Sequence, residues 1–383
     1  MDFELTETQQ LIRATARDFA DKRLAPAAHD LDEHERFPLE YIQELASLGL
    51  MAVNLPADLG GSEAGVVAYS LAMQEIASAC ASTAVTMSVT NMVGEVIAQF
   101  GNDAQRRRYC TGLANGELVA GSFALSETDA GSDPGGMTTT AVREGDSWVI
   151  NGSKQWITSG AYAGVMVVWA RTAPRDTHPG TRGISCFLVE GKTPGLRIGR
   201  AEDKHGLRAS NTVSLSFENC RIPSSHLLGL ENGGFRIAMM ALDGGRIGIA
   251  SQAIGIARAA LRESVRYAKD RHAFGKPIAD FQAIQWKLAD MQTELDAAYL
   301  LTMRAAWLKE HNMAFSREAS MAKLFASEAA NRICNEAVQI HGGYGYIREF
   351  AAERHLRDVR VTTIYEGTSE VQRMVIARSL LAP

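Results

Sequence analysis

Apolar residues recur every three or four positions through most of residues 6–115, which predicts a helical region. Leu11, Ala16 and Phe19 follow this period, and prolines and glycines divide it into shorter helices. The stretch 54–61 is predicted to be a loop, after which Ala-rich helices resume over 62–101. The first region of the chain is therefore expected to be all-α.

The pattern changes between residues 121 and 231, where short β-branched and aromatic runs alternate with turn residues. The predicted strands include 148–150, 165–169, 184–189 and 213–217. Helical periodicity then returns, and the predicted helices are 236–269, 280–311, 317–340 and 368–380. We therefore predict an α+β chain with three domains, at 1–120 (helical), 121–231 (β) and 232–383 (helical).

Composition narrows the class of protein without identifying it. The net charge of -5 gives no general electrostatic reason to expect a nucleic acid or an anionic membrane as partner. No run of about 18 apolar residues is present, so no membrane span is expected. The amino-terminal MDFELTETQQ lacks the basic and then apolar pattern of a secretory signal. An odd set of 5 cysteines without C-x-x-C favours a reducing compartment and no metal site.

Two motifs lie in the β region. FALSETDAGSD, at 123–133, concentrates hydroxyls, a glycine and acids where backbone N–H groups can bind a phosphate or a polar ring edge. QWITSG, at 155–160, would place Trp156 and Thr158 on one face of a strand. A plain turn and a core tryptophan with a surface threonine explain these motifs equally well when each is taken alone.

The third helical region contains further candidates. LDGGRIGIA, at 242–250, is predicted to open a helix with paired glycines, and it places Asp243 and Arg246 one turn apart. An ordinary surface ion pair is the alternative. Downstream, Arg271, Phe274 and Gln282 supply a cation, an aromatic ring and an amide that suit a nucleotide diphosphate.

Two glycine-containing segments follow. QIHGGYGY, at 339–346, has more glycines than a helix end requires, which favours close approach of a planar or phosphorylated ligand. IYEGTSEVQR, at 364–373, places Glu366 in a loop before a helix, with Thr368 in the N-cap region and Glu370 in the first turn. Taken alone, Glu366 would be a capping or first-turn acid. No HExxH, Walker or G-x-S-x-G motif competes with it.

Taken together and in this order, these segments resemble the acyl-CoA dehydrogenase family over essentially the whole chain. The resemblance implies a helical amino-terminal domain, a middle β-barrel or sandwich domain and a carboxy-terminal four-helix bundle. It also implies a bound FAD, an acyl-CoA substrate, an electron-transferring flavoprotein as electron acceptor and a homotetramer built as a pair of dimers.

Site residues are carried over from the resemblance by position. The flavin-contacting loop corresponds to Phe123, Leu125, Ser126 and Ser132. Ser132 is also expected to meet CoA, and Trp156 and Thr158 resemble the pair beside the isoalloxazine ring. The loop departs from the family pattern at Thr128 and Asp129, and Ser126 stands where a threonine is common.

Further contacts with FAD are implied in the helical region. The neighbouring subunit is expected to contribute Arg271, Gln282 and the run 339–343, which includes Gln339, Gly342 and Gly343, and Phe274 is a further cofactor-binding candidate. Thr368 and Glu370 resemble contacts from the flavin's own subunit, and Asp243 with Arg246 matches the CoA-binding pair.

Glu366 matches the base of the family branch in which that residue lies in the carboxy-terminal loop. In the isovaleryl-type branch the carboxylate lies beside the position of Arg246, where this chain has Gly245. The glutaryl type needs a cation near Thr83, and none is present there. Glu366 is therefore expected to take the α-proton while the β-hydrogen leaves as hydride to flavin N5.

A base that works at neutral pH needs a raised pKa, because a solvated glutamate titrates near ~4.3. We expect desolvation on binding of the acyl chain to raise the pKa of Glu366. Resemblance favours a short straight-chain substrate, with medium, branched and alicyclic groups left open. An acyl-CoA oxidase using O2 and a non-catalytic FAD-containing binding protein are the alternatives. The compartment is expected to be the bacterial cytoplasm, or the mitochondrial matrix in a eukaryote.

Overall fold

The computed structural model describes residues 4–382 and confirms the order of helical, β and helical regions. Residues 1–3 and 383 lie outside this described part, and they include the outer ends of the first and third predicted domains. The boundaries at 120 and 231 stay predictions. Within residues 4–382, no helix is long and apolar enough to cross a membrane.

Between residues 4 and 120, the first region contains seven α-helices joined by turns and short helical segments. They are α1 Glu7–Phe19, α2 Ala25–Glu33, α3 Leu39–Ser47, α4 Val66–Ala79, α5 Ala81–Phe100, α6 Asp103–Gln105 and α7 Thr111–Ala114. The first helix begins at a capping box, in which Thr6 and Gln9 satisfy each other's backbone N–H groups. Every residue of α4 is buried, because this helix has neighbours on all sides.

The middle region is one eight-stranded sheet in the order β6-β7-β3-β2-β4-β5-β8, with β1 parallel to β4. The strands are β1 Ala120–Ala124, β2 Thr140–Glu144, β3 Ser147–Thr158, β4 Ala163–Arg171, β5 Ile184–Glu190, β6 Leu196–Ala201, β7 Thr212–Pro223 and β8 Leu227–Leu228. The long strands β3 and β7 pair antiparallel, and their register shifts between Lys154 and Ile157. This irregularity turns the side chain of Trp156 outward, where it is 62% exposed.

Residues 232–382 of the third region contain five α-helices and a small hairpin. They are α8 Gly234–Asp270, β9 His272–Ala273, β10 Lys276–Pro277, α9 Gln282–Glu310, α10 Ser316–His341, α11 Ala351–Val359 and α12 Ser369–Leu381. The predicted helices match α8, α9, α10 and α12 closely, whereas α11 was not predicted. One hydrophobic core runs through all three regions, because α8 packs on α4 and α5 as well as on α9 and α10.

Candidate active site

Glu366 lies in a tight turn between α11 and α12. Its φ is +53° and that of the following Gly367 is +85°, so two consecutive residues adopt the left-handed region. Glycine accepts this conformation freely, whereas a glutamate there is strained and must be held by its surroundings. Thr368 ends the turn as the N-cap of α12, and its hydroxyl accepts a hydrogen bond from the Val371 N–H.

The Glu366 carboxylate occupies space that only a glycine at position 245 leaves free. A Cβ built on Gly245 would lie 2.6 Å from Glu366 Oε2 and 3.0 Å from Met92 Sδ. These distances are shorter than van der Waals contact, so any side chain at 245 would displace the carboxylate. The alternative position for a base is therefore not merely empty but filled by the carboxylate of Glu366.

The Oε2 atom of Glu366 is buried and has no hydrogen-bond partner among residues 4–382. Burial raises the pKa of Glu366 to about 7, while Arg246 and Lys323 act in the opposite direction. The desolvation of Glu366 is thus present before any acyl chain is bound. A further rise of this pKa on binding of the acyl chain stays a prediction.

Asp243 and Arg246 form an ion pair on α8. The sequence analysis leaves open an ordinary surface ion pair, but this pair is largely buried. The Arg246 side chain is buried, and its guanidinium also donates to Ser320 Oγ at 3.1 Å. Ser316 donates to Asp243 at 2.9 Å, and burial still raises the pKa of Asp243 against the effect of Arg246. A second atom of this arginine, Nε, is buried without a partner in the described chain.

The prediction that LDGGRIGIA opens a helix is wrong, because α8 begins at Gly234. The paired glycines lie inside the helix, where they allow close packing rather than a helix start. Gly248, one turn beyond Gly245, faces the Tyr69 hydroxyl, which donates to Ser88 at 3.1 Å. Two turns beyond Gly245, Gln252 accepts a hydrogen bond from the Tyr365 hydroxyl.

Two polar side chains that the sequence analysis missed hold the Glu366 turn. Lys323 on α10 donates to the Gly367 carbonyl at 2.8 Å. Gln372 on α12 donates to the same carbonyl at 2.8 Å and to the Glu366 carbonyl at 3.0 Å. The sequence did contain a signal for Lys323, since it interrupts the alanine stripe that forms the buried face of α10. We call Glu366, Gly245, Arg246, Lys323 and Met92 the base pocket.

A buried ion pair fixes the loop that carries the flavin-type motif in the β region. Lys154 on β3 donates to Glu127 at 2.9 Å and to the Leu125 carbonyl at 3.0 Å. Burial disfavours the charge of Glu127, but Lys154 and donors from Thr139 and Thr138 outweigh it and hold the pKa of Glu127 at about 2. This pair was also missed, and it ties the segment around residues 125–139 to the sheet.

The predicted flavin-contacting residues of the β region lie on β1, β3 and this loop. Phe123 packs on the Trp169 ring with centroids 4.3 Å apart, and Leu125 is buried. Ser126 and Thr158 are half-buried, whereas Ser132 is exposed. The two departures from the family pattern, Thr128 and Asp129, are exposed as well.

The remaining predicted FAD contacts of the third region are mostly exposed. Arg271, Phe274, Gln282, Gln339, Gly342 and Gly343 form what we call the exposed nucleotide set. The Phe274 ring is 96% exposed, and the Arg271 guanidinium lies 5.7 Å from the centroid of the Tyr344 ring. Thr368 and Glu370 lie elsewhere, in a cavity that Arg332 and Arg360 also line.

Family models match all three regions of the chain. The acyl-CoA dehydrogenase N-terminal domain matches residues 6–117, the middle domain residues 122–220 and the C-terminal domain residues 232–381. Residues 4–382 contain no group of three or more potential metal ligands.

Relatives match over nearly the full length. The short-chain specific acyl-CoA dehydrogenase of Rattus norvegicus mitochondria is 52% identical over 99% of this chain and 91% of its own. The butyryl-CoA dehydrogenase structure from Megasphaera elsdenii has a TM-score of 0.97 and 43% identity, and covers 100% of both chains. A chain described with the electron transferring flavoprotein of Acidaminococcus fermentans has a TM-score of 0.98 and 42% identity, again over 100% of both.

Proposed function

Because this chain belongs to the acyl-CoA dehydrogenase family, we propose that it oxidises a short straight-chain acyl-CoA to the trans-2-enoyl-CoA with Glu366 as base. One observation carries the proposal. The Oε2 atom of Glu366 is buried and lacks a hydrogen-bond partner in the described chain, and burial raises the pKa of this carboxyl to about 7. A carboxylate prepared in this way accepts a proton at neutral pH, which is the task of the base in this oxidation.

The residues present fit FAD, the cofactor of acyl-CoA dehydrogenases. Trp156 presents a flat, exposed ring at a positive φ of 63°, and a Cβ built on Gly342 or Gly343 would meet nothing within 4 Å. An exposed aromatic surface and open backbone suit a planar ring and a pyrophosphate. When bound, FAD supplies the acceptor for the β-hydride.

The protein's own part of the reaction is to bind, orient and deprotonate the thioester. Asp243 and Arg246 hold CoA, and the Glu366 amide donates to the thioester carbonyl as negative charge develops there. Glu366 Oε2 takes the α-proton, so the electron pair of that C–H bond becomes the new α,β double bond as hydride leaves Cβ. The carboxylate is already positioned by the chain, which lowers the cost of reaching the reactive geometry.

A short acyl group fits the groups packed along α8. Beyond Gly245, the same face of the helix meets the Tyr69–Ser88 pair and then the Gln252–Tyr365 pair. We propose that these buried, hydrogen-bonded groups limit the depth of the acyl pocket, since separating them to admit a longer chain would leave polar atoms unpaired. The identity with short-chain enzymes supports the same substrate class.

The base assignment is tested with Glu366→Gln, with Glu231→Gln as control because Glu231 is an exposed acid. Purified enzyme containing FAD is mixed anaerobically with butyryl-CoA, and flavin bleaching and the enoyl-CoA product are measured. Loss of bleaching by about 10³-fold is expected for Glu366→Gln, at unchanged FAD content, with no loss for Glu231→Gln. Near-normal bleaching by Glu366→Gln would refute the assignment.

Chain length is tested with a panel of straight acyl-CoA thioesters. We expect kcat/KM for flavin reduction to peak at butyryl-CoA and to fall for hexanoyl- and octanoyl-CoA. A maximum at octanoyl-CoA would show that the buried pairs along α8 do not limit the pocket.

We propose an electron-transferring flavoprotein as acceptor, supported by the structural match with a chain described with such a protein. The alternative is an oxidase, in which O2 reoxidises the reduced flavin. Stopped-flow reoxidation separates them. Fast reoxidation by an electron-transferring flavoprotein and slow reoxidation in air support the dehydrogenase, and the reverse order supports the oxidase.

We propose a homotetramer, because the third region exposes aromatic surface that a monomer rarely leaves uncovered. Phe274, Trp286 and Tyr346 are 96%, 63% and 85% exposed. Sedimentation velocity should give four times the chain mass, and a monomer that retains FAD would contradict this.

The buried free cysteines support a reducing compartment, the bacterial cytoplasm or the mitochondrial matrix, which cell fractionation would test.

A further inference from the structure

Lys323 is a buried cation on the alanine-rich face of α10. Its neighbours along that face, Ala319, Ala322 and Ala326, are buried as well, and the lysine has no exposed surface. Burying an ammonium group removes its hydration and is costly unless a partner compensates. The described partner is the carbonyl of Gly367, at 2.8 Å from Nζ, in the turn that presents Glu366.

The hydrogen bond alone does not explain the cation. Gln372 also donates to the Gly367 carbonyl, at the same distance of 2.8 Å, and it does so without a charge. A neutral side chain at 323 would therefore leave that carbonyl satisfied. The positive charge must offset its burial cost through another interaction, and the charged groups around it show which one.

The groups that interact electrostatically with Lys323 are Glu366, Arg246, Glu328 and Glu370. Burial lowers the pKa of Lys323 to about 8, and Glu366 is the largest of the charges that oppose this. The lysine therefore keeps its charge below about pH 8, which includes the range in which Glu366 titrates. From the side of Glu366, the opposing charges are Arg246 on α8 and Lys323 on α10.

We propose that Lys323 is a positioning residue for the reaction: its buried ammonium holds the Gly367 carbonyl of the Glu366 turn and stabilises the negative charge of the Glu366 carboxylate. This inference rests on the proposed role of Glu366 as base. Arg246 is held by Asp243 and Ser320, so part of its charge is already compensated. Lys323 has no carboxylate hydrogen-bonded to it in the described chain, and Glu366 is the largest of the acidic charges that act on it.

The first test compares pH profiles of single-turnover flavin reduction by butyryl-CoA. In the wild type, the rate should fall at low pH as Glu366 becomes protonated, and we call this part of the profile the acidic limb. Lys323→Met should move the acidic limb to higher pH by about one unit, because the positive charge that favours the ionised Glu366 is lost. Lys323→Arg keeps the charge and should restore the wild-type limb. Gln372→Met is the matched control, because it removes the other donor to the Gly367 carbonyl and leaves the charge in place. Its acidic limb should not move.

The second test does not depend on turnover. Enzyme containing FAD but no substrate is labelled with carbon-13 at the glutamate side-chain carboxyl, and Glu366→Gln identifies the resonance that belongs to Glu366. The titration midpoint of that resonance should rise in Lys323→Met and stay at the wild-type value in Gln372→Met and in the exposed-site control Lys22→Met. Should Lys323→Met fail to fold, Lys323→Gln is used with the same expectations.

The outcomes separate this inference from the proposed function. Lys323→Met could be slower than wild type while its pH profile and the titration midpoint of the Glu366 carboxyl stay unchanged. This result would show that the lysine is purely structural, and it would overturn the inference. In that case Glu366→Gln would still be inactive, and the proposed function would stand. If Glu366→Gln retained turnover, the proposed function would fail first and the role of Lys323 with it.

Discussion

The base pocket and the exposed nucleotide set carry related chemistry but are built in opposite ways. In the base pocket, the carboxylate atom Oε2 of Glu366 is buried, and the charges that act on it come from α8 and α10 of the same chain. In the exposed nucleotide set, Phe274 is 96% exposed, and Gly342 and Gly343 have open space where a side chain would be. Groups of one chain surround the first site, whereas the second is open to its surroundings, where we propose that FAD and another subunit lie.

The same residue type serves opposite purposes in the two regions. Gly245 is required because another side chain of the same chain already fills the space beside it. Gly343 leaves space that nothing in the described chain fills. Substitution by alanine should therefore affect the rate of flavin reduction at position 245 and the affinity for FAD at position 343.

The largest effect is expected from Gly245→Ala. The added methyl group would lie 2.6 Å from Glu366 Oε2, so the carboxylate must move out of its position. A displacement of this kind should reduce the rate of flavin reduction by about 10²-fold. FAD content and melting temperature should stay close to wild type, because the clash involves the end of a flexible side chain. Unchanged activity in crystals or solution would place the reactive carboxylate elsewhere.

Glu127→Gln tests whether buried charges in the β region are as tightly paired as those in the base pocket. The substitution leaves the Lys154 ammonium, which is 1% exposed, without its carboxylate. The free energy of unfolding should fall by about 3 kcal/mol, measured by urea denaturation at pH 7. Lys154→Arg, which keeps the charge, is the control.

The same pair predicts a pH dependence. The folded-state pKa of Glu127 is about 2, below the value of ~4.3 for an unfolded glutamate. Its contribution to stability is therefore complete above pH ~4.3 and is lost as the pH falls towards 2. In Glu127→Gln, the free energy of unfolding should fall less between pH ~4.3 and 2 than in the wild type. The same fall in both proteins would contradict the lowered pKa of Glu127.

Gly343→Ala should change the affinity for FAD and leave the Glu366 carboxylate in place, whereas Gly245→Ala should displace the carboxylate and leave FAD content unchanged. Its methyl group meets nothing within 4 Å in one chain, so the fold and the titration of Glu366 should not change. If FAD approaches the backbone there, the cofactor affinity should fall by about 10-fold, as expected for overpacking. Equilibrium dialysis of FAD measures this. If Gly343→Ala instead destabilised the fold and kept normal FAD affinity, Gly343 would be needed for packing and not for the cofactor.

Only a small effect on stability is expected from Trp156→Ala. With 62% of its surface exposed, this side chain contributes little to the core, and the free energy of unfolding should change by less than about 0.5 kcal/mol. Quenching of flavin fluorescence should weaken if the ring packs on the cofactor. A loss of several kcal/mol would identify Trp156 as a core residue instead.

The sequence sufficed for the long helices, because long helical periods are local features, and ordered motifs singled out Glu366 as the proposed base. Residue spacing predicted α10 and α12 to within one residue of the observed helices. It could not predict that Gly245 faces Glu366, since 121 positions along the chain separate the two (366 − 245). Such contacts depend on how α8, α10 and α12 pack, which no periodicity encodes.

The missed residues share a physical cause. Lys323 and the Lys154–Glu127 pair are buried charges, and composition predicts such residues to be on the surface. The ligand-free desolvation of Glu366 could not be predicted for the same reason, because a loop glutamate is normally solvated. Only the packing of three helices around it shows that the chain provides the desolvation.

We infer that the chain itself prepares Glu366 as a desolvated base. The pH dependence of the second-order rate constant for anaerobic flavin reduction by butyryl-CoA tests it most directly, because this constant reports ionisation in the free enzyme. We predict that the rate falls with decreasing pH through a midpoint of about 7. A midpoint near ~4.3, the value for a solvated glutamate, would contradict the account.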